Sequence, residues 1–255
     1  MLRYPLRRRG VEERKIRLDR YLVNAGAGSR KEVRELIRDG YVTVNGVVIK
    51  DPSYKVSMRD NVRLNNESLS LLGKRYYKMY KPKGVITSTK DRDLTLFDLI
   101  TDIPRLEDLF PVGRLDKDAE GLILITNDGV LAHRLTHPRW KVRKVYEVTL
   151  EYPLLGDEAN LLLKGVRLED GMAKVEDIEV LDEEGKLIRV TVTEGRYHLI
   201  KRIFSAIGNR VLSLKRVAFG PITVDDLREG EIRELTRKEI EELFKLCDLT
   251  MGDEL

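Results

Sequence analysis

The sequence predicts an α+β protein with a small basic α/β domain followed by a larger mixed domain whose sheet is mostly antiparallel. The predicted strands follow one another too closely for a purely parallel sheet. Residues 1–75 carry 18 Lys and Arg against 9 Asp and Glu, whereas residues 76–255 carry 29 against 34. The chain has 255 residues, 42% of them hydrophobic, which is enough to bury a core and too many for a disordered chain.

The small domain is predicted over residues 16–64, after a flexible basic tail at 1–15. Apolar residues at helical spacing predict a first helix that ends near Gly26. Ser29 and Glu32 have the spacing of a capping box, which begins a second helix that Gly40 ends. The pair Asn45-Gly46 between strand-forming residues predicts a hairpin. The polar stretch 65–75 is interpreted as a linker.

The larger domain is predicted over residues 76–246, with a C-terminal tail at 247–255. Alternation and continuous apolar runs predict its strands, at 75–80, 122–126, 144–151, 173–182, 187–194 and 211–220. Helical spacing and N-capping residues predict its helices, at 95–100, 130–136, 154–164, 198–208 and 236–244. The sequence contains no internal repeat.

Composition limits where the protein works. Cys247 is the single cysteine, so no intramolecular disulfide can form, and we expect it to be a buried apolar residue. No apolar run is long enough to cross a bilayer and no signal peptide is evident, so we expect a cytoplasmic protein without a membrane partner. The basic N-terminal region, residues 1–75, suits binding to a polyanion such as nucleic acid, although a solvated surface without a partner explains the charge equally well.

Two kinds of site are disfavoured by spacing. His133 and His137 are four residues apart on a predicted helix, but Arg134 stands where a zinc-protease motif needs Glu. We therefore expect no metal. The glycines at 26–31 lack the spacing of a nucleotide-binding loop, and they are explained by two helix ends.

The most informative stretch is FPVGRLDKDAEGLILITNDG, residues 110–129. Asp116 precedes a buried strand and has Arg114 and Asp118 beside it. A carboxylate at the mouth of a strand can be aimed into a cleft and held ionised. Taken alone, the pattern also fits a solvated turn with a surface ion pair, and two carboxylates could form a glycosidase pair.

Five ordered motifs between about residues 16 and 240 resemble the pseudouridine synthases that modify single uridines in ribosomal RNA. GRLDKDAEGLILITNDG resembles their catalytic motif, and YKPKGVITST at 80–89 resembles the lysine-proline motif upstream. HPRWKVRKVYEVTL at 137–150 and EGRYHLIKRIFSAIGNRVLSLKRVAFGPITV at 194–224 are similar to the two later motifs. Residues 17–46 resemble a small RNA-binding domain found in a ribosomal protein and attached to many of these enzymes.

The resemblance implies a role for each matching residue. Asp116 would be the catalytic carboxylate, Tyr146 would stack on the target base, and Lys201 would pair with Asp116. Leu214 would pack against the base, and Arg114 would enter the RNA stack when the uridine flips out. Leu199 departs from the family, which often has Gln at this position, and this weakens any expected contact there.

The resemblance also implies the reaction and the partner. No cofactor is expected for an isomerisation, whether Asp116 attacks the sugar or the base. The partner would be ribosomal RNA, 16S in preference to 23S, as free RNA or within a partly assembled subunit, and we expect a monomer. A cluster of basic residues in the small domain would contact phosphates, namely Arg17, Arg20, Arg30, Lys31 and Arg34. The alternative is an RNA-binding assembly factor that has lost catalysis.

Overall fold

The computed structural model describes residues 15–57, 60–69 and 73–249. Most of the tail predicted at 1–15 lies outside the described residues. The chain divides into two compact units, one extending to Gly73 and the other beginning at Lys74. This division falls within the stretch predicted as a linker.

The described residues of the first unit form two helices and six short strands. In chain order these are β1 (Ile16–Arg17), α1 (Leu18–Asn24), α2 (Arg30–Arg38), β2 (Val42–Val44), β3 (Val47–Val48), β4 (Lys55–Val56), β5 (Val62–Leu64) and β6 (Glu67–Ser68). β1 pairs with β4, and the other strands form a sheet in the order β3-β2-β5-β6. The start of the predicted linker is therefore part of this sheet.

Local sequence signals explain these elements. The Ser29 hydroxyl accepts from the Glu32 amide and the Glu32 carboxylate accepts from the Ser29 amide, so the predicted capping box is present. Asn45 and Gly46 both have positive φ, 52° and 83°, as the tight β2–β3 hairpin requires. The core combines apolar residues from both helices and the sheet, among them Leu22, Val33 and Val44.

Between residues 74 and 249 the second unit forms eleven strands and four α-helices. The elements are β7 (Tyr76–Lys81), β8 (Phe110–Val112), β9 (Glu120–Thr126), α3 (Gly129–Thr136), β10 (Lys144–Leu150), α4 (Gly156–Lys164), β11 (Val166–Leu168), β12 (Gly171–Ala173), β13 (Asp177–Val180), β14 (Leu187–Val192), α5 (Leu199–Ala206), β15 (Val211–Phe219), β16 (Ile222–Thr223), β17 (Ile232–Glu234) and α6 (Arg237–Leu246). Single turns of 3₁₀ helix occur at Leu96–Leu99, Leu106–Asp108 and Pro138–Trp140.

The main sheet of this unit has the strand order β13-β14-β10-β15-β9-β7-β17. Neighbouring strands are antiparallel except β15 and β9, which are parallel. β8 adds to β9 and β16 adds to β15, while β11 and β12 form a separate hairpin. The predicted fold class, a small domain and a mixed, mostly antiparallel one, is confirmed.

The sheet is covered by separate apolar clusters. α4 and α5 pack with β10, β14 and β15 in one cluster, and α3 and α6 pack with β7, β9 and β15 in another. Cys247 and Leu249 are buried in the second cluster, so the start of the predicted tail belongs to the core. No helix within the described ranges is long and apolar enough to span a membrane.

Some predicted elements differ from those observed. The helix predicted at 95–100 is a 3₁₀ turn that begins after Thr95, whose backbone amide and hydroxyl both donate to Asp98. The strand predicted at 173–182 is interrupted, because its first residue belongs to the β11–β12 hairpin and β13 begins only at Asp177. The short strands β8, β11 and β17 were not predicted, because three residues are too few to show a period.

Candidate active site

Asp116 lies in the loop between β8 and β9, and buried hydrogen bonds fix this loop. The Thr87 hydroxyl donates to the Leu115 carbonyl (2.8 Å) and accepts from the Leu115 amide (3.1 Å). Gly84 donates its amide to the Lys117 carbonyl at 2.7 Å, and Ala119 donates to the Asp116 carbonyl at 3.1 Å. The Asp116 side chain is thus held in one place while 23% of it stays exposed.

Two potential cations approach the Asp116 carboxylate from the start of α5. Lys201 Nζ is 3.1 Å from Asp116 Oδ2, and His198 Nε2 is 3.4 Å from Oδ1. Lys201 Nζ also lies 2.6 Å from Asp118 Oδ1, so the lysine bridges two carboxylates. The arrangement predicted for Asp116 and Lys201 is therefore present in space.

The charge state of the bridge follows from these contacts. Burial alone would lower the pKa of Lys201, but its hydrogen bonds to Asp118 and Asp116 outweigh burial, and the pKa is raised. The hydrogen bond from Lys201 lowers the pKa of Asp118 in turn. Lys201 therefore carries a positive charge beside Asp116 at neutral pH.

Tyr146 and Leu214 come from neighbouring strands of the sheet. Tyr146 lies on β10 next to a register shift between β10 and β15, and it is 8% exposed. Leu214 lies on β15 and is 6% exposed. Tyr146 packs in the apolar cluster formed by α4, α5, β10, β14 and β15, which also contains Leu214.

A small cavity of about 70 Å³ brings these residues together. Four of the five residues predicted for catalysis or base binding line it, and the fifth, Lys201, contacts Asp116. The lining residues are Arg114, Leu115, Asp116, Ala119, Tyr146, Val192, Glu194, Gly195, Arg196, His198, Leu199, Ile200 and Leu214. The cavity therefore combines apolar side chains and the aromatic ring of Tyr146 with polar groups that include two carboxylates, Asp116 and Glu194, as suits a flat base and a reacting carboxylate.

Buried cations lie beneath this cavity. Lys81 is fully buried and donates to the carbonyls of Pro82 and Ala119. Burial lowers the pKa of Lys81 to about 8, although Asp116, Asp118 and Glu120 act in the opposite direction. Arg216 is 2% exposed and donates to the Leu122 carbonyl at 2.7 Å. These cations add positive potential on the protein side of Asp116.

Sequence reasoning did not assign His198 a role. His198 has φ 50°, directly before α5, and its ring stacks on Tyr197 with 3.7 Å between the centroids. The stacked Tyr197, directly before His198 in the chain, is 75% exposed. A single His carries no spacing signal, so only its position in the motif at 194–224 could have indicated its proximity to Asp116. Leu199, noted as a departure from the family, lines the cavity.

The five basic residues predicted for phosphate contacts fall into two groups. Arg17 and Arg34 both pair with the buried Asp19, at 2.9 and 3.1 Å. The hydrogen bond from Arg17 lowers the pKa of Asp19. Arg20, Arg30 and Lys31 are exposed, and their side chains pair with no group in the described residues. This second group is the one free to contact a polyanion.

His133 and His137 are exposed, with ring centroids 5.2 Å apart. Among the residues that the structure describes, no group of three or more His, Cys, Asp and Glu could hold a metal ion.

Two family descriptions match the chain. Residues 75–206 match the RNA pseudouridylate synthase family, and residues 16–62 match the S4 domain. A protein of Aquifex aeolicus (strain VF5), named as an RNA pseudouridine synthase, is 43% identical over 91% of this chain and 97% of its own length. A protein of Yersinia pestis, named as ribosomal small subunit pseudouridine synthase A, is 41% identical over 88% of this chain and 97% of its own.

A solved structure agrees with these matches. A crystal structure described as a pseudouridylate synthase is 33% identical, covers 89% of this chain and 99% of its own, and superposes with a TM-score of 0.64.

Proposed function

The chain belongs to the RNA pseudouridylate synthase family, and from that premise we propose that it isomerises one uridine of small-subunit ribosomal RNA to pseudouridine, with Asp116 as the catalytic carboxylate. The observation that carries the proposal is the position of Asp116. Asp116 lines a small cavity that also contains the ring of Tyr146, and its carboxylate is 3.1 Å from the charged Lys201. A small-subunit target is supported by the name of the Yersinia pestis relative.

The reaction needs only rearrangement. The bond from uracil N1 to the ribose C1′ breaks, the base rotates, and a bond from C5 to C1′ forms. The proton on C5 leaves and N1 gains one, so atoms and electrons balance without a cofactor. An ionised Asp116 can attack either the sugar or the base, and a site shielded from water favours both routes.

Each neighbouring residue has a defined part in this proposal. The charge on Lys201 holds the Asp116 carboxylate in place by a contact of 3.1 Å. The ring of Tyr146 stacks on the uracil, and its hydroxyl can relay the C5 proton. Leu214 packs on the base, and Arg114, exposed at the edge of the cavity, takes the place of the uridine that flips out of its stack.

The proposed test is tritium release from RNA labelled at C5 of uridine, comparing wild type with Asp116→Asn. Asp118→Asn is the matched control, because it removes a neighbouring carboxylate that is 73% exposed and does not line the cavity. Naked 16S RNA, naked 23S RNA and partly assembled particles are tested separately. We expect release by wild type and by Asp118→Asn, and none by Asp116→Asn.

The outcomes separate the alternatives. Release from 23S RNA alone would replace the small-subunit target. RNA binding without release from any substrate would favour an assembly factor over an enzyme. Cytoplasmic location, a monomeric state and the choice between free RNA and a particle stay predictions.

A further inference from the structure

A second and larger cavity opens beside the Asp116 cavity on the same unit. Its volume is about 730 Å³, against about 70 Å³ for the Asp116 cavity. Glu194 lines both, so the two are adjacent along the chain segment that leads into α5. We call the larger one the basic groove, lined by Pro138, Lys141, Arg143, Lys164, Gly165, Met172, Ala173, Lys174, Glu176, Thr193 and Glu194.

Four separate elements build the walls of the basic groove. Lys141 follows a 3₁₀ turn with φ 46°, and Arg143 directly precedes β10. Lys164 ends α4 and Lys174 follows β12. Gly165, with φ 110°, allows this approach, since a Cβ there would lie 3.3 Å from the Ala173 carbonyl oxygen. The backbone therefore brings cations from distant parts of the sequence to one surface.

The charges in the basic groove are not balanced internally. Its two carboxylates are already paired, Glu176 with Lys174 at 3.3 Å and Glu194 with Arg196 at 2.8 Å. The side chains of Lys141, Arg143 and Lys164 are exposed and form no hydrogen bond or ion pair with any described residue. Like charges gathered at one concave surface attract a polyanion.

We propose that the basic groove binds the phosphates of the RNA strand that flanks the target uridine. The inference rests on the proposed function. Flipping places a single nucleotide in the small cavity, so the strand attached to it must continue along the neighbouring surface. A positively charged groove is how proteins follow a single-stranded backbone. Met172, which is 60% exposed, adds an apolar surface for a base.

The test uses the full-length protein in which Lys141, Arg143 and Lys164 are all replaced by Gln. The control removes the same charge at Lys186, Arg210 and Lys238, which line neither cavity. Tritium release is measured over a range of RNA and salt concentrations. We expect KM of the groove variant to rise at least about tenfold near 0.15 M salt, with kcat within twofold of wild type. The slope of log(kcat/KM) against log salt should become shallower by about 2, since each single-strand phosphate contact contributes about 0.7.

A second variant acts in the opposite direction. Glu176→Gln removes a carboxylate from the groove and releases Lys174, so KM should fall and the salt slope should steepen. This variant keeps the proposal testable if the triple replacement unfolds, which thermal unfolding would reveal.

Three results would overturn the proposal: equal KM changes in the groove and control variants, loss of kcat without a change in KM, or no effect of Glu176→Gln. If wild type releases no tritium at all, the proposed function fails instead. Binding of a labelled single-stranded RNA by the same variants would then still decide whether the groove holds phosphates.

Discussion

At the scale of single residues, Lys201 contacts two carboxylates of unequal exposure. Asp118 is 73% exposed, so its bond to Lys201 contributes little free energy. Asp116 is 23% exposed, and there the positive charge acts with less screening by water. The lysine should therefore matter for the reaction through Asp116 and hardly at all through Asp118.

We predict that Lys201→Met lowers the single-turnover rate by about 100-fold, since a preorganised charge at the reacting carboxylate is lost. Lys201→Arg should retain most of the rate, and Asp118→Asn should stay within a few-fold of wild type. The measurement is tritium release with enzyme in excess over RNA. Equal rates for Lys201→Met and wild type would mean that the ion pair has no part in catalysis.

Lys144 is a buried lysine at the start of β10, and it supports a prediction about stability. Burial, together with Arg216, lowers the pKa of Lys144 to about 8 from its usual 10.5. The unfolded chain thus holds this proton up to a higher pH than the folded chain, and the free energy of unfolding rises between pH 8 and 10.5. Below pH 8 the cost of burying the charge is fully present.

Lys144→Met should remove the rise of the free energy of unfolding between pH 8 and 10.5. Urea unfolding at pH 7.5 and 9.5 should show wild type gaining about 1–2 kcal/mol relative to the variant between the two values. An identical change with pH in both proteins would contradict the lowered pKa. Because Lys144 does not line the Asp116 cavity, activity serves as a check that the variant folds correctly.

The residues of the site were predictable to different degrees. The family resemblance assigned one site to residues from separate motifs, Asp116, Tyr146, Lys201 and Leu214, and the structure places these side chains close together. The approach of the His198 ring to Asp116 involves a left-handed backbone at His198, and no periodic sequence pattern predicts such a backbone conformation. The pairing of Arg17 and Arg34 with Asp19 likewise depends on how α1 and α2 pack.

At the scale of elements, the parallel pair β9 and β15 decides where the site forms. The apolar run at 122–126 predicted a buried strand, and β9 confirms it. Its neighbours could not be predicted, because pairing partners distant in sequence leave no local signal. Arg216 lies opposite Gly121 in this pair, and Gly121 has φ 105°.

We predict that Gly121→Ala is strongly destabilising, by at least about 3 kcal/mol. A Cβ at Gly121 would lie 2.7 Å from the backbone nitrogen of Arg216 and closer still to its carbonyl oxygen, and backbone atoms cannot move aside. Gly129→Ala is the control, because a Cβ added at Gly129 would meet no atom within 4 Å and because Gly129 is the first residue of α3. Its unfolding free energy should stay within about 0.5 kcal/mol of wild type. Chemical denaturation of both variants tests this.

At the scale of the whole molecule, charge is divided between the two units. The basic excess of the first 75 residues suits phosphate binding, and the larger unit holds the residues proposed to react. The sequence predicted this division from charge counts and the linker stretch. The charge counts could not show that Arg17 and Arg34 form ion pairs with Asp19.

We predict that replacing Arg20, Arg30 and Lys31 with Gln weakens RNA binding and lowers the salt slope by about 2–3, because each lost phosphate contact removes about 0.9. Single replacements should have small effects. Fluorescence anisotropy with a labelled ribosomal RNA fragment measures both quantities. An unchanged slope would mean that the first unit binds RNA through other residues.

The parallel pairing of β9 with β15 also has a consequence for how the protein is made. β15 is among the last strands to leave the ribosome, and until then Glu120 and Gly121 of β9 lack their partners on β15 and the Asp116 cavity lacks Leu214. Contacts between segments so distant in the chain form slowly, and domains generally fold as units. During translation, therefore, the nascent chain can complete its first unit early, while the reacting site assembles only near termination.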